Sequence, residues 1–163
     1  MKDAMTMLGK DPRTIFLGQT VGCSGSAMYG SLEGVPMEKR IELPVIEDTQ
    51  MGMSIGLSLQ GYIPISIYPR FDFLICAMNQ MVNHLDKIEE MSHGEFKPKV
   101  IIRTAIGNTE PLYPGVQHCQ DYTEAMRSAL KSVTVVRVGE DPVGDYRDAL
   151  DRDGSTLLIE GGN

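Results

Sequence analysis

Apolar residues recur along this chain in two rhythms. Short, nearly unbroken apolar runs fall at 14–17, 40–45, 62–68, 99–103, 133–138 and 156–160. Runs of this length, bounded by turn residues, read as buried strands. Segments with the helical period lie between them. In 74–91, LICAMNQMVNHLDKIEEM, the residues Leu74, Met78, Met81, Val82, Leu85 and Ile88 share one helical face, and His93-Gly94 supplies the stop. Shorter helices are expected over 3–8, 26–32, 120–130 and 143–150. Strands that alternate with helices imply a mostly parallel sheet covered on both faces, with right-handed crossovers. The expected fold is therefore α/β: three layers around a mostly parallel six-stranded sheet.

One stretch, ELPVIEDTQMGMSIGLSLQGYIPISIYPRFDF over 42–73, departs from plain core patterning. Glu47 stands where the apolar run 41–46 stops, which reads as an acid at a strand end. Gly52, Ser54, Gly56 and Ser58 then alternate with Met51, Met53, Ile55, Leu57 and Leu59. A glycine inside a helix costs roughly 1 kcal/mol against alanine, so two of them imply close approach of another backbone or a ligand. A glutamate at the mouth of a sheet is an acid/base candidate. A first-turn acid that complements the helix dipole is the competing reading.

The segment 105–117 is a Gly/Pro loop without periodicity, and loops of that length inside a compact domain are commonly functional. His118 follows it, in GVQHCQDYTEA, either facing a site or merely capping the next helix. His84 and His93, on and after the long helix, read as structural. No histidine pair or His/Cys cluster has metal-ligand spacing. The glycine- and serine-rich segment 18–34 lacks the Gly-x-Gly-x-x-Gly pattern of dinucleotide binding.

Composition narrows the partners. A net charge of −7 argues against nucleic acid and anionic membranes. No apolar run approaches the ~20 residues of a membrane span, and the N-terminus MKDAMTMLGKDPR has no signal-like apolar core. The three cysteines, Cys23, Cys76 and Cys119, form no Cys-x-x-Cys, which suits a reducing cytoplasm.

The order LPVIE, Gly-x-x-x-Gly, GYIP and FDF, followed by Gln117-His118, resembles the pyrimidine-binding domain of thiamine diphosphate enzymes, in the transketolase and 2-oxoacid dehydrogenase β-subunit family. The likeness extends over about residues 3–160 and is strongest over 39–80 and 115–137. It implies that Glu47 bonds N1′ of the aminopyrimidine and that His118 faces the substrate. It further implies that Phe73 stacks on the ring, while Arg70, at a position often aromatic in relatives, and Cys76 line the ring pocket. Gly18-Gln19-Thr20-Val21 stands where relatives carry acids, so Gln19 keeps hydrogen bonding without the charge. No Gly-Asp-Gly motif for diphosphate and Mg²⁺ occurs here. The resemblance therefore implies a single pyrimidine-binding domain over 1–163, without the diphosphate-binding and C-terminal domains. A separate chain carrying Gly-Asp-Gly…Asn would hold most of the Mg²⁺ diphosphate, in an α2β2 heterotetramer. The implied activity is transketolase-like or acyloin-type transfer of a two-carbon or acyl unit. A β-like subunit of a 2-oxoacid decarboxylase or dehydrogenase and a non-catalytic scaffold are the alternatives.

Overall fold

The computed structural model describes residues 1–161. Six strands form one sheet: β1 (Thr14–Gly18), β2 (Arg40–Glu42), β3 (Ile63–Tyr68), β4 (Ile101–Ile106), β5 (Thr134–Arg137) and β6 (Thr156–Gly161). Their spatial order is β2-β1-β3-β4-β6-β5, and every neighbouring pair is parallel. The expected three-layer α/β architecture is the one observed. β3 is buried along its whole length, as a central parallel strand covered on both faces must be. Pro64 fits there because pairing with β4 starts only at Ile65, so its missing N–H leaves no gap in that ladder.

Two apolar cores cover the two faces. On one face α1 (Lys2–Gly9), α2 (Ala27–Ser31) and α7 (Pro142–Asp151) pack Met5, Leu8, Met28 and Tyr146 against Phe16, Ile65 and Leu158. On the other, α3 (Glu47–Leu59), the helical run from α4 (Phe71–Leu74) to α5 (Ile88–Met91), and α6 (Thr123–Ala129) pack Met51, Phe71, Met81 and Met126 against Ile102 and Leu157. None of these helices is long and apolar enough to cross a membrane.

Several boundaries differ from the sequence expectation, each for a local reason. β2 ends at Glu42 rather than 45, because Pro44 removes a donor and restricts Leu43. β4 runs on to Ile106 through residues expected in the loop. α6 starts at Thr123, not 120, because the Asp121 carboxylate accepts from the Thr123 N–H at 2.8 Å and from its hydroxyl at 2.5 Å. The helix expected over 74–91 is irregular: a 3₁₀ turn at Ile75–Ala77 and a π-helical stretch at Gln80–Leu85 separate α4 from α5. The widened turn delivers the buried Asp86 carboxylate to the N–H groups of Lys131, Ser132 and Val133 at 2.8, 2.7 and 3.1 Å. Beyond α5, His93 and Gly94 take positive φ and close the run as expected, with the Gly94 N–H on the Glu89 carbonyl at 2.8 Å.

The glycines of α3 do not admit another part of this chain closely. A Cβ at Gly52 would meet Gln80 at an ordinary 3.7 Å, and one at Gly56 would meet nothing within 4 Å.

Candidate active site at the carboxyl edge of the sheet

A cavity of about 440 Å³ opens at the C-terminal ends of β1, β3, β4 and β6. Strand order reverses between β1 and β3, and in open parallel sheets ligands bind in the crevice outside the carboxyl ends at such a point. Glu47, Phe73, Arg70 and His118 all line this cavity, together with Gln19, Thr20, Tyr68, Arg103 and Glu160. Cys76 does not; it lies exposed on the 3₁₀ turn after α4.

Glu47 is the first residue of α3, not a strand end. It is buried, 8 % exposed. Its place is set by a polar clamp one turn further along the helix. The buried Gln50 amide donates to the Ile67 carbonyl at 3.0 Å, to the Ser66 hydroxyl at 3.2 Å and to the Leu17 carbonyl at 3.4 Å. Ser54 adds a 3.0 Å bond to Ser66. These bonds pin the start of α3 to the ends of β1 and β3. The Tyr68 hydroxyl donates to the Glu47 backbone carbonyl at 3.3 Å. Burial pushes the Tyr68 phenol well above its ordinary value, so it stays a donor. Gly18 completes the junction: its φ is +150°, and a Cβ there would lie 2.3 Å from the Ile67 carbonyl oxygen.

The loop after β1 is held by a second carboxylate. Glu42 accepts from the Thr20 N–H at 2.7 Å and the Gly22 N–H at 2.6 Å, and Thr20 adopts a φ of +57°. Thus positioned, Gln19 donates to Glu47 Oε1 at 3.2 Å and leaves Oε2 without a partner among the described residues. The amide thus keeps a hydrogen-bonding role without the charge, and its partner is Glu47.

Phe73 belongs to α4, not to a strand, and is 37 % exposed. His118 packs edge-on against it, with ring centroids 5.5 Å apart and planes at 85°. Gly107, directly after β4, donates its N–H to the His118 carbonyl at 2.8 Å, which draws the end of the long loop back to the sheet. A Cβ on Gly107 would lie 2.2 Å from that oxygen. His118 Nδ1 and Arg70 Nε are buried and have no hydrogen-bond partner among the described residues. Unpaired buried donors and acceptors are rare and costly, and in a cavity they are groups a ligand would satisfy.

Sequence reasoning missed the opposite wall. Arg103 lies buried in β4, with Nε 2.6 Å from Glu160 Oε1 and Nη2 3.1 Å from Oε2. Its Nη1 donates to Ser31 at 2.7 Å, and the Tyr146 hydroxyl donates to Glu160 Oε1 at 2.6 Å. Burial and the adjacent Glu160 charge push the Tyr146 phenol well above its ordinary value. The signal was present, since a buried charge inside the apolar run KVIIR requires a partner. Among the described residues no group of three His, Cys, Asp or Glu side chains is arranged to hold a metal.

The fold is a six-stranded, all-parallel α/β domain, and it matches that of a solved transketolase chain. A split-gene transketolase, solved as an inactive β4 tetramer, superposes with a TM-score of 0.73 at 18 % identity, over 97 % of this chain and 48 % of that one. Pyruvate dehydrogenase E1 component subunit beta of Cyanidium caldarium is 26 % identical over 140 residues, covering 80 % of this chain and 39 % of that protein. The 2-oxoisovalerate dehydrogenase subunit beta of Bacillus subtilis is 29 % identical over 110 residues, covering 66 % and 33 % respectively. No protein-family model matches. The chain is similar in sequence to these dehydrogenase β subunits and shares its fold with the transketolase chain. It spans well under half the length of the two curated relatives.

Proposed function

We propose that this chain supplies the aminopyrimidine side of a thiamine diphosphate site and that a separate polypeptide supplies the diphosphate side. The observation that carries the reading is Glu47: a buried carboxylate with one oxygen tied to Gln19 and the other free in the cavity. The residues present suit the coenzyme's ring. Glu47 Oε2 is an acceptor for a ring nitrogen, Phe73 offers an aromatic edge or face, and His118 Nδ1 is an unspent polar atom beside it. When bound, thiamine diphosphate supplies an electron sink for a carbanion.

This chain's own part is orientation and proton handling. The Gln50 clamp and the Gln19 bond fix the Glu47 carboxylate, so that Oε2 would hold a proton shared with the ring nitrogen N1′ of a bound coenzyme. His118, packed edge-on against Phe73, holds or moves a proton on the substrate. Arg103 and Glu160, paired with each other, bound the cavity without taking part. Mg²⁺ and the diphosphate fall to the second chain, whose Gly-Asp-Gly…Asn motif this sequence lacks. The assembly is an α2β2 heterotetramer with this domain as its β chain.

Within that reading the activity is transfer or condensation of a two-carbon or acyl unit. The curated relatives' names favour a second reading equally, a β-like subunit of a 2-oxoacid dehydrogenase. Mixing this chain with a candidate partner and measuring coenzyme binding tests the shared claim. Saturable binding that needs both chains is expected. Glu47→Gln should then lower turnover by about 10²–10⁴-fold with the assembly intact. Retention of turnover within severalfold would remove Glu47 from the chemistry. Product formed without an added oxidant assigns transfer; dependence on an acceptor assigns the dehydrogenase reading.

A further inference from the structure

The charges around the cavity do not all balance locally. Arg103 and Glu160 neutralise each other through two bonds, at 2.6 and 3.1 Å. Glu47 gives one oxygen to the neutral Gln19 amide. Arg70 forms no ion pair among the described residues. Its Nη1 donates only to the neighbouring Pro69 carbonyl, at 2.9 Å, and its Nε is buried with no partner. His118 Nδ1 is likewise buried and unpartnered among the described residues. The two groups flank Gly107, where a Cβ would sit 3.5 Å from Arg70 Nε and 2.2 Å from the His118 carbonyl oxygen. Gly107 thereby leaves open the space in which the Arg70 guanidinium lies near the His118 backbone, and both residues line the cavity.

A guanidinium keeps its charge at any working pH and cannot serve as an acid or base. Its planar fork matches the spaced oxygens of a carboxylate or phosphate, and charge-assisted bonds of this kind are the strong ones. An unpaired cation with a desolvated N–H is costly until such a group arrives. We infer that this corner binds the anionic group of the substrate, a carboxylate or a phosphate, and that Arg70 is the residue that selects for it. The inference rests on the reading of the cavity as a substrate-bearing coenzyme site, and it adds the chemical class of what enters. Arg70 acts by charge and geometry, while His118 takes part as the neighbouring polar group that senses the bound anion.

The test needs no coenzyme. The full chain, labelled for histidine ring signals, is titrated with pyruvate, with inorganic phosphate and with uncharged dihydroxyacetone. One of the two anions is expected to bind saturably and to shift the His118 ring signals, while those of His84 and His93 stay put. Pyruvate binding assigns a carboxylate and phosphate binding a phosphoryl group. Arg70→Met should weaken that anion at least tenfold and Arg70→Lys by less. Neither change should alter the response to dihydroxyacetone, and unchanged His84 and His93 signals establish that the variants are folded. The inference is overturned if neither anion moves His118, if Arg70→Met binds the anion within threefold of the parent chain, or if dihydroxyacetone binds as tightly as the anions. Loss of coenzyme binding in the two-chain assay would sink the function above and leave this titration readable, and the reverse also holds.

Discussion

The two arginines of the cavity make an instructive pair. Arg103, on the β4–β6 wall, is 2 % exposed, and each of its nitrogens donates to Glu160 or Ser31. Arg70, on the wall formed by the end of β3 and the loop to His118, has one backbone acceptor and a buried Nε with none. The first wall is chemically closed and belongs to the architecture. The second holds its polar atoms in reserve, at a cost to the folded state that stability alone does not explain. Satisfaction of buried groups, rather than charge or burial as such, separates the part of this site that holds the fold from the part whose polar atoms stay unspent.

That contrast can be broken most forcefully on the closed wall. Arg103→Met leaves Glu160 uncompensated and should cost about 3–5 kcal/mol in urea unfolding, whereas the Arg103→Met/Glu160→Met double variant should recover most of it. A double variant no more stable than the single one would mean that the pair is not a unit. Arg70→Met, by comparison, should cost no stability and raise it by up to about 1–3 kcal/mol, because it removes an unpaired buried N–H.

A smaller loss is expected where the open wall is anchored. Gly107→Ala forces a Cβ against the His118 carbonyl and should cost roughly 1–3 kcal/mol. It should also abolish the ring-current shift that Phe73 imposes on His118. An unchanged His118 spectrum would show that the loop closes by other means.

Asp86 sharpens the comparison through pH. Burial alone would raise its pKa, but the bond from Lys87 and those from the Ser132, Val133 and Lys131 amides outweigh burial and hold it at about 2. A depressed carboxylate contributes stability above its unfolded value near 4 and loses it as pH falls toward 2. The contribution is on the order of 1–2 kcal/mol once solvent screening is allowed for. Denaturation midpoints measured from pH 5 to pH 2 should fall less steeply in Asp86→Asn. Smallest of all, Phe73→Leu should weaken coenzyme binding by the roughly 0.5–1.5 kcal/mol of an aromatic contact, read by titration of the assembled protein.

Much of this was legible in the residues. Apolar runs of strand length separated by helical periods gave the layers, because burial on both faces of β3 leaves no room for polar positions except Ser66, which Gln50 and Ser54 satisfy. Glu47, Phe73, Arg70 and His118 were legible as a set and do share one cavity. Cys76 was not separable from them by position, since one helical turn decides whether a side chain faces the cavity or the solvent, and a 3₁₀ turn changes that angle. Nor did the residues decide between helix start and strand end for Glu47: the acids Glu47 and Asp48 suit a first turn, but the N-cap, Ile46, makes no side-chain capping bond. The Arg103–Glu160 pair spans β4 and β6 and joins residues 57 apart in sequence, so it became visible only with the sheet order.

The bond between the Gly107 N–H and the His118 carbonyl has a consequence for how this protein can change over time. It staples the two feet of the excursion 108–117 together, so that the imidazole's address depends on the staple and not on the path between. Closing a longer excursion adds little entropic cost, growing only with the logarithm of its length. Mutation can therefore lengthen, shorten or rewrite that rim, whose Leu112, Tyr113 and Val116 face outward, and retune what is admitted while the histidine stays where it is.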